Sequence, residues 1–196
     1  MRDLLSAFLL DRGIKGDVHG PRIKGTAEIE KKMDEVGRPF EEIYDTAGLR
    51  VIVHYLDEVY LVADFICACE NLLKRGKDRT LHEALRPEEF DQKHYEDYIK
   101  NPRGPTAYRT LQIVVYVRTY FSGEPVTVPV EVQVRTYLMH AWEEKDWRMV
   151  YKPPAGIAIP PSLVGEFYYI SKLLFRVDED FIEMRDRIKR IEEQSK

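Results

Sequence analysis

Apolar and polar residues alternate with a period of two over several stretches of this chain. The clearest is VPVEVQVRT, Val128–Thr136, where Val128, Val130, Val132 and Val134 fall on one face and Glu131, Gln133 and Arg135 on the other. Successive side chains of a strand point to opposite sides, so a carboxylate, an amide and a guanidinium stand in a row over an aliphatic underside. In AGLRVIVHY, 47–55, Leu49, Val51 and Val53 alternate against Arg50, Ile52 and His54, and in 108–118 Leu111, Ile113, Val115 and Val117 share a face. Ser122–Pro125 reads as a turn, which makes 108–119 and 127–136 an expected antiparallel hairpin.

Helical periods occupy most of the rest. Residues 1–12 form an apolar-faced helix ending at Gly13, followed by a loop marked by Gly16, Gly20 and Pro21. A second helix, capped by Thr26 with Glu28 and Glu30 in its first turns, stops at Gly37 and Pro39. A third runs 56–73 with Asp57 as its cap and Val59, Val62, Ala63, Ile66 and Leu73 inward. Residues 74–107 are polar and interrupted by Pro87, Pro102 and Pro105, with a loop over 101–105. Helix resumes over 137–151, then Pro153, Pro154, Pro160 and Pro161 make a stiff linker into a helical tail over 162–193, one long helix or two. Phe167, Ile170, Leu174, Phe181, Ile188 and Ile191 give that tail an apolar stripe. The pattern predicts an α+β fold, a mixed β-sheet flanked by helices with a helical C-terminal extension, divided as 1–19, 20–152 and 153–196.

With 196 residues, 44% hydrophobic and 33% charged, the chain is long enough to fill a core and too apolar for disorder. No apolar run reaches the ~18 residues of a membrane span, and the start lacks a secretory signature, so a cytoplasmic protein without membrane contact is expected. A net charge of -4 argues against non-specific coating of nucleic acid. Cys67 and Cys69 lack the CxxC spacing and read as buried structural thiols, and the histidines show no zinc-ligand spacing.

Polar residues from separate segments nevertheless converge. Asp45 precedes one strand, Arg50 and His54 lie on its polar side, Gln112 is on the second, and Glu131, Gln133 and Arg135 are on the third. If the strands are neighbours, carboxylates and arginines share a surface suited to a divalent cation and a polyphosphate. An ordinary solvated strand face accounts for the last three just as well when they are taken alone. Arg22 and Lys24 in GPRIKG add positive charge, and Tyr108 opens a strand where its ring offers a stacking plate. No Walker A or GxGxxG run occurs.

The stretches GPRIKGTAEIEKKM (20–33), IYDTAGLRVIV (43–53), YEDYIKNPRGPTAYRTLQ (95–112), VPVEVQVRT (128–136) and MHAWEEKDWRMVYK (139–152) occur together and in order. In this they resemble the synthetase domain of the RelA/SpoT alarmone family in its small single-domain form. The resemblance implies a nucleotidyltransferase-like sheet and transfer of pyrophosphate from ATP to the ribose 3′-hydroxyl of GDP or GTP, leaving AMP. It implies Mg2+ held by Asp45 and Glu131, with Glu131 also the catalytic glutamate. Arg22, Lys24, Lys31 and Arg50 then surround ATP, while Tyr108, Gln112, Gln133 and Arg135 line the acceptor side, Tyr108 stacking on guanine.

The chain departs from the family pattern at Glu96, where a lysine is usual, at Ala107 for glycine, at Gln112 for histidine, and at Asp146–Trp147–Arg148 for a Glu–His–Lys run. Such departures resemble the toxic small members, whose acceptor is an adenosine nucleotide or the 3′-end of tRNA and whose partner is an antitoxin protein. Lys74, Arg75, Lys77 and Arg79, or Arg185, Arg187, Lys189 and Arg190, are basic clusters for a tRNA stem, or ordinary solvated faces. A catalytically silent nucleotide sensor is the reading from a different class. Oligomeric state is left open.

Overall fold

A computed structural model describes residues 1–37, 43, 45–69, 73–74, 95–121 and 123–195. Helix α1, Arg2–Asp11, buries Leu5 and Leu9. It leads into a strand, β1 (Gly16–Ile23), where glycine and proline composition predicts a loop. This strand pairs antiparallel with β2 (Ala47–Val53), and the pairing breaks between His19 and Arg22 in an irregularity that holds Gly20 and Pro21. Gly20 has φ 107°, and a Cβ there would sit 2.9 Å from the carbonyl oxygen of Gly48. Only glycine fits, and the missing N–H of Pro21 is tolerable because β1 is an edge strand.

Helix α2 is Thr26–Val36, with Gly25 rather than Thr26 as its N-cap; the Glu28 carboxylate accepts the Gly25 N–H at 3.3 Å. Gly37, at φ 62°, closes it in the left-handed conformation usual at such ends. Helix α3, Leu56–Ala68, likewise takes its cap from elsewhere than predicted, since Glu58 accepts the Tyr55 N–H at 3.0 Å. Its inward face is the expected Val59, Val62, Ala63 and Ile66, but Leu73 belongs instead to a short strand, β3 (Leu73–Lys74). Cys67 and Cys69 are half-buried rather than buried.

Strand β4 is Tyr95–Asp97, and β5 (Leu111–Phe121) and β6 (Glu124–Thr136) form the expected hairpin in register to Phe121 opposite Glu124. The mixed sheet runs β1-β2-β6-β5-β3, with β4 also on β5, and β2 lies parallel to β6. One sheet face, carrying Leu49, Val51, Val53, Leu111, Ile113, Val115, Val132 and Val134, packs with α1, α3 and Ile99 as the hydrophobic core. The opposite face carries the polar residues.

Helix α4, Tyr137–Asp146, starts at the end of β6 with Thr136 as its N-cap and continues into a π-turn over Trp147–Tyr151. Helix α5, Pro161–Gln194, is the expected extension in one piece. Its predicted apolar stripe is only partly its contact face: Phe167 and Leu174 are half-buried, with the Phe167 ring edge-on to Trp142, whereas Ile170, Phe181, Ile188 and Ile191 are exposed, and the fully buried positions are Ser171 and Asp178. No helix among the described residues is long and apolar enough to cross a membrane. Of the basic clusters, Arg75, Lys77 and Arg79 lie outside the described residues, and Arg185 is committed to Asp57.

Candidate active site

The ladder fixes which polar residues meet. Gly48 of β2 stands opposite Glu131 and Arg50 opposite Gln133, while across β5 Gln112 also stands opposite Gln133. His19 pairs with Arg50 on the outer side and Glu96 with Gln112 on the other. Paired residues share a sheet face, so His19, Arg50, Gln133, Gln112 and Glu96 form one cross-strand row. Glu131 lies next to that row on β6, and Asp45 lies just before β2.

Asp45 is the centre of one cluster. Its Oδ2 accepts from both Lys24 and Lys32, whereas its buried Oδ1 has no hydrogen-bond partner. Burial works against ionisation, but the two ammonium groups outweigh it and hold the Asp45 carboxyl below the usual range. Glu131 shifts the other way. Burial pushes its carboxyl up, and the nearby charge of Asp45 adds to this, overriding the 2.7 Å hydrogen bond from Gln133 Nε2 and the two lysines. Two carboxylates close enough to affect each other thus have opposed proton affinities.

From Glu131 a continuous polar chain runs along β6. The Gln133 carbonyl oxygen accepts from Arg135, whose guanidinium is wholly buried and also donates to Glu143 and, at 2.9 Å, to the Tyr108 hydroxyl. Gln112 bonds to Tyr108 as well, and the ring lies 6.5 Å from that of Trp142 and 5.5 Å from the Arg135 guanidinium carbon. Tyr108 is therefore held by its hydroxyl and half-buried, rather than projecting freely. It enters from a tight bridge, where Tyr108 and Arg103 exchange backbone hydrogen bonds of 2.9 Å, immediately after Ala107 at φ 58°. Arg50 pairs with Glu143 at 3.4 Å and Glu144 at 3.5 Å.

Two of the predicted residues stand apart. Arg22 is exposed on the edge strand and pairs with Glu28 at 3.2 Å, and Lys31 points outward to Glu35 at 3.6 Å. The neighbour Lys32 takes the place beside Asp45. His140, Glu143 and Glu144 were also not foreseen, although their i, i+3, i+4 spacing puts them on one helix face. Their ligand atoms lie within 4.8 Å of one another, a geometry able to hold a metal ion. The guanidinium groups of Arg50 and Arg135 already neutralise those carboxylates, and burial, with the same guanidinium charges adding to it, keeps His140 deprotonated to lower pH than usual. Hard oxygen donors are also found at Asp45 and Glu131; Lys24 and Lys32 occupy only Oδ2 of Asp45, and its orphaned Oδ1 fits a cation there.

A sequence model described as a region found in RelA / SpoT proteins matches residues 21–155. The chain belongs to the RelA/SpoT family. Within it, GTP pyrophosphokinase YjbM of Bacillus subtilis (strain 168) is 29% identical over 182 residues, covering 88% of this chain and 76% of that protein. GTP pyrophosphokinase YwaC of the same strain is 26% identical over 148 residues, 76% of this chain and 60% of its own length. A GTP pyrophosphokinase of Escherichia coli (strain K12) is 26% identical over 190 residues, 94% of this chain but only 22% of that protein. The RelA/SpoT fold is equally evident in solved structures. Small alarmone synthetase 1 of Bacillus subtilis bound to its product pppGpp superposes with TM-score 0.74 at 22% identity, over 95% of this chain and 88% of that one. Small alarmone synthetase 2 gives 0.75 at 21% identity, over 94% and 90%.

Proposed function

We propose that this RelA/SpoT family chain is an ATP pyrophosphotransferase that moves the pyrophosphoryl group of ATP to the ribose 3′-hydroxyl of GDP or GTP and releases AMP. The observation that carries the reading is the pair Asp45 and Glu131, one carboxylate held ionised between Lys24 and Lys32 and the other buried with raised proton affinity. Mg2+ between them would supply charge neutralisation for the triphosphate. Lys24, Lys32 and Arg50 surround the same place with positive charge, as a transferring phosphoryl group requires. Glu131, its proton affinity raised by burial, accepts the 3′-hydroxyl proton as the β-phosphorus of ATP is attacked. Gln133 orients Glu131 through their hydrogen bond, and Tyr108, fixed through Arg135, offers a ring face to the acceptor base. Positioning and electrostatics of this kind account for most phosphoryl-transfer catalysis.

One observation favours a second reading. Glu96 is exposed at the end of the cross-strand row, beside Gln112, on the acceptor side. A carboxylate there repels a free 5′-polyphosphate and suits an acceptor without one, such as the 3′-end of tRNA. Incubation with γ-labelled ATP and, separately, GDP, GTP, ADP and bulk tRNA tests both. Label in a guanosine nucleotide with AMP release is the expected outcome, and label confined to tRNA transfers the conclusion to the second reading. Absence of AMP with every acceptor overturns both and leaves a nucleotide-binding sensor. The Glu131→Gln variant should label nothing.

A further inference from the structure

Helix α5 carries Ser171, Asp178 and Arg185 at intervals of seven residues, two helical turns apart and on one face. Each grips a different element at the end of the sheet where β2 and β6 finish and β5 begins. The Ser171 hydroxyl donates to the carbonyl of Ala107 at 2.5 Å. Asp178 accepts from the Thr136 hydroxyl at 2.6 Å. Arg185 reaches both oxygens of Asp57, at 2.9 and 2.8 Å.

The first two contacts are buried on both sides. Burying a carboxylate whose bond is to a neutral hydroxyl is costly, and an apolar contact stripe would hold a helix more cheaply. What the polar contacts supply is fixed geometry, and their targets show where it is needed. Ala107 precedes Tyr108, and Thr136 follows Arg135. Tyr108 and Arg135 are the two groups that bond to each other at 2.9 Å on the acceptor side. Ala107 has φ 58°, a left-handed conformation that alanine rarely takes and that persists only where surroundings over-determine it. Its carbonyl is the group Ser171 holds. Thr136 in turn accepts the Met139 N–H at 3.2 Å, so Asp178 also anchors the first turn of the helix that bears His140, Trp142 and Glu143. The donor-side cluster of Asp45, Lys24 and Lys32 is assembled from β1, α2 and the approach to β2, with no part in these contacts.

We propose that Ser171 and Asp178 are positioning residues, which fix the Tyr108 loop and the Arg135 corner relative to each other and thereby set the affinity for the acceptor without changing that for ATP. The proposal rests on Tyr108 and Arg135 lining the acceptor side, as in the function proposed above. Full-length Ser171→Ala, Ser171→Thr, Asp178→Ala and Asp178→Asn variants test it. With the labelled acceptor identified for the wild type, both alanine variants should raise acceptor KM about five- to tenfold, the scale of one lost buried hydrogen bond, and leave ATP KM within about twofold. Threonine keeps the donor and asparagine keeps an acceptor, so these variants should recover most of the loss. Hydrogen exchange without substrates supplies a reading independent of activity. The Tyr108 amide, bonded to the Arg103 carbonyl, should exchange faster in Ser171→Ala, and the Met139 amide faster in Asp178→Ala.

Equal rises in ATP and acceptor KM overturn the proposal, as do unchanged exchange in both alanine variants or threonine and asparagine variants as impaired as alanine. Should Asp178→Ala not fold, Ser171→Ala, which removes one neutral hydroxyl, decides alone. A wild type inactive with every acceptor overturns the functional reading, while the exchange experiment still decides whether α5 positions the loop.

Discussion

Replacing Arg135 tests the polar chain at its densest point. The side chain is wholly buried and bonds to Glu143, Gln133 and Tyr108, with only its Nε lacking a partner. Arg135→Met keeps most of the volume but leaves the Glu143 carboxylate, largely buried, with Arg50 at 3.4 Å as its remaining guanidinium partner. Removing one member of a buried pair costs roughly 3–5 kcal/mol, and the partial replacement by Arg50 puts the expectation near the lower end, about 3 kcal/mol. For a chain of this size that corresponds to a fall in Tm of about 6–12 °C. Arg135→Lys keeps the charge and loses the planar fork, so it should cost about half as much. Arg135→Met combined with Glu143→Leu removes both charges and should be more stable than Arg135→Met alone, because replacing a whole buried pair with apolar groups is often close to neutral. Urea denaturation followed by circular dichroism, with thermal melting alongside, measures all of these. A double variant whose loss equals the sum of the single losses would refute the argument, since the cost would then lie in packing rather than in a stranded charge.

Lys32→Met should raise ATP KM at least fivefold by removing one positive charge from the donor side, and Lys31→Met should leave it within about twofold, because exposed i,i+4 pairs contribute little. Steady-state kinetics of the two variants decides, and the reverse order would refute the donor-side assignment. Ala107→Gly should gain about 0.5–1 kcal/mol in urea denaturation, relief of the left-handed conformation exceeding the entropy cost of glycine; a loss above about 1 kcal/mol would contradict the strain. Burial raises the Asp178 carboxyl to about 6 from 3.8. The folded chain therefore holds this proton more tightly than the unfolded one, and stability falls on its account as pH rises from about 4 to about 6. Asp178→Asn removes that dependence, so it should be more stable than wild type by about 3 kcal/mol at pH 7.5 and equal to it by about pH 3. A stability difference that does not change across that range would falsify the assignment.

The sequence made the sheet interior legible and its edges obscure, for one physical reason. Strands β2, β5 and β6 bury one face, so alternation between Val132, Val134 and their polar neighbours is forced by the core. Strand β1 buries little, and its Gly16, Gly20 and Pro21 meet the needs of close approach and an edge bulge, the same residues a loop would use. Helix α2 shows the matching problem for side-chain direction. None of its residues is fully buried, and its inward side is marked only by the half-buried Ile29 and Met33; Lys32 shares that side and Lys31 does not, a distinction that so short a stripe marks weakly in the sequence. The cluster His140, Glu143 and Glu144 sits on α4, whose weak amphipathicity hides its facing direction in the same way.

Helix α5 shows why apolar periodicity alone misassigns a contact face. Of its apolar stripe, Phe167 and Leu174 are half-buried but Ile170, Phe181, Ile188 and Ile191 are exposed, and the face turned to the domain is marked by Ser171, Asp178 and Arg185 with Phe175 beside them. Hydrophobic area is non-directional, so it specifies that a helix will pack more strongly than it specifies where. Hydrogen bonds specify position, and at this end of the sheet they meet Ala107, Thr136 and Asp57 at three separate elements. A helix attached by area alone could slide along the domain by a turn at little cost. A helix attached at Ser171 and Asp178 cannot, because a shift of one turn would leave a buried hydroxyl and a buried carboxylate both unpaired.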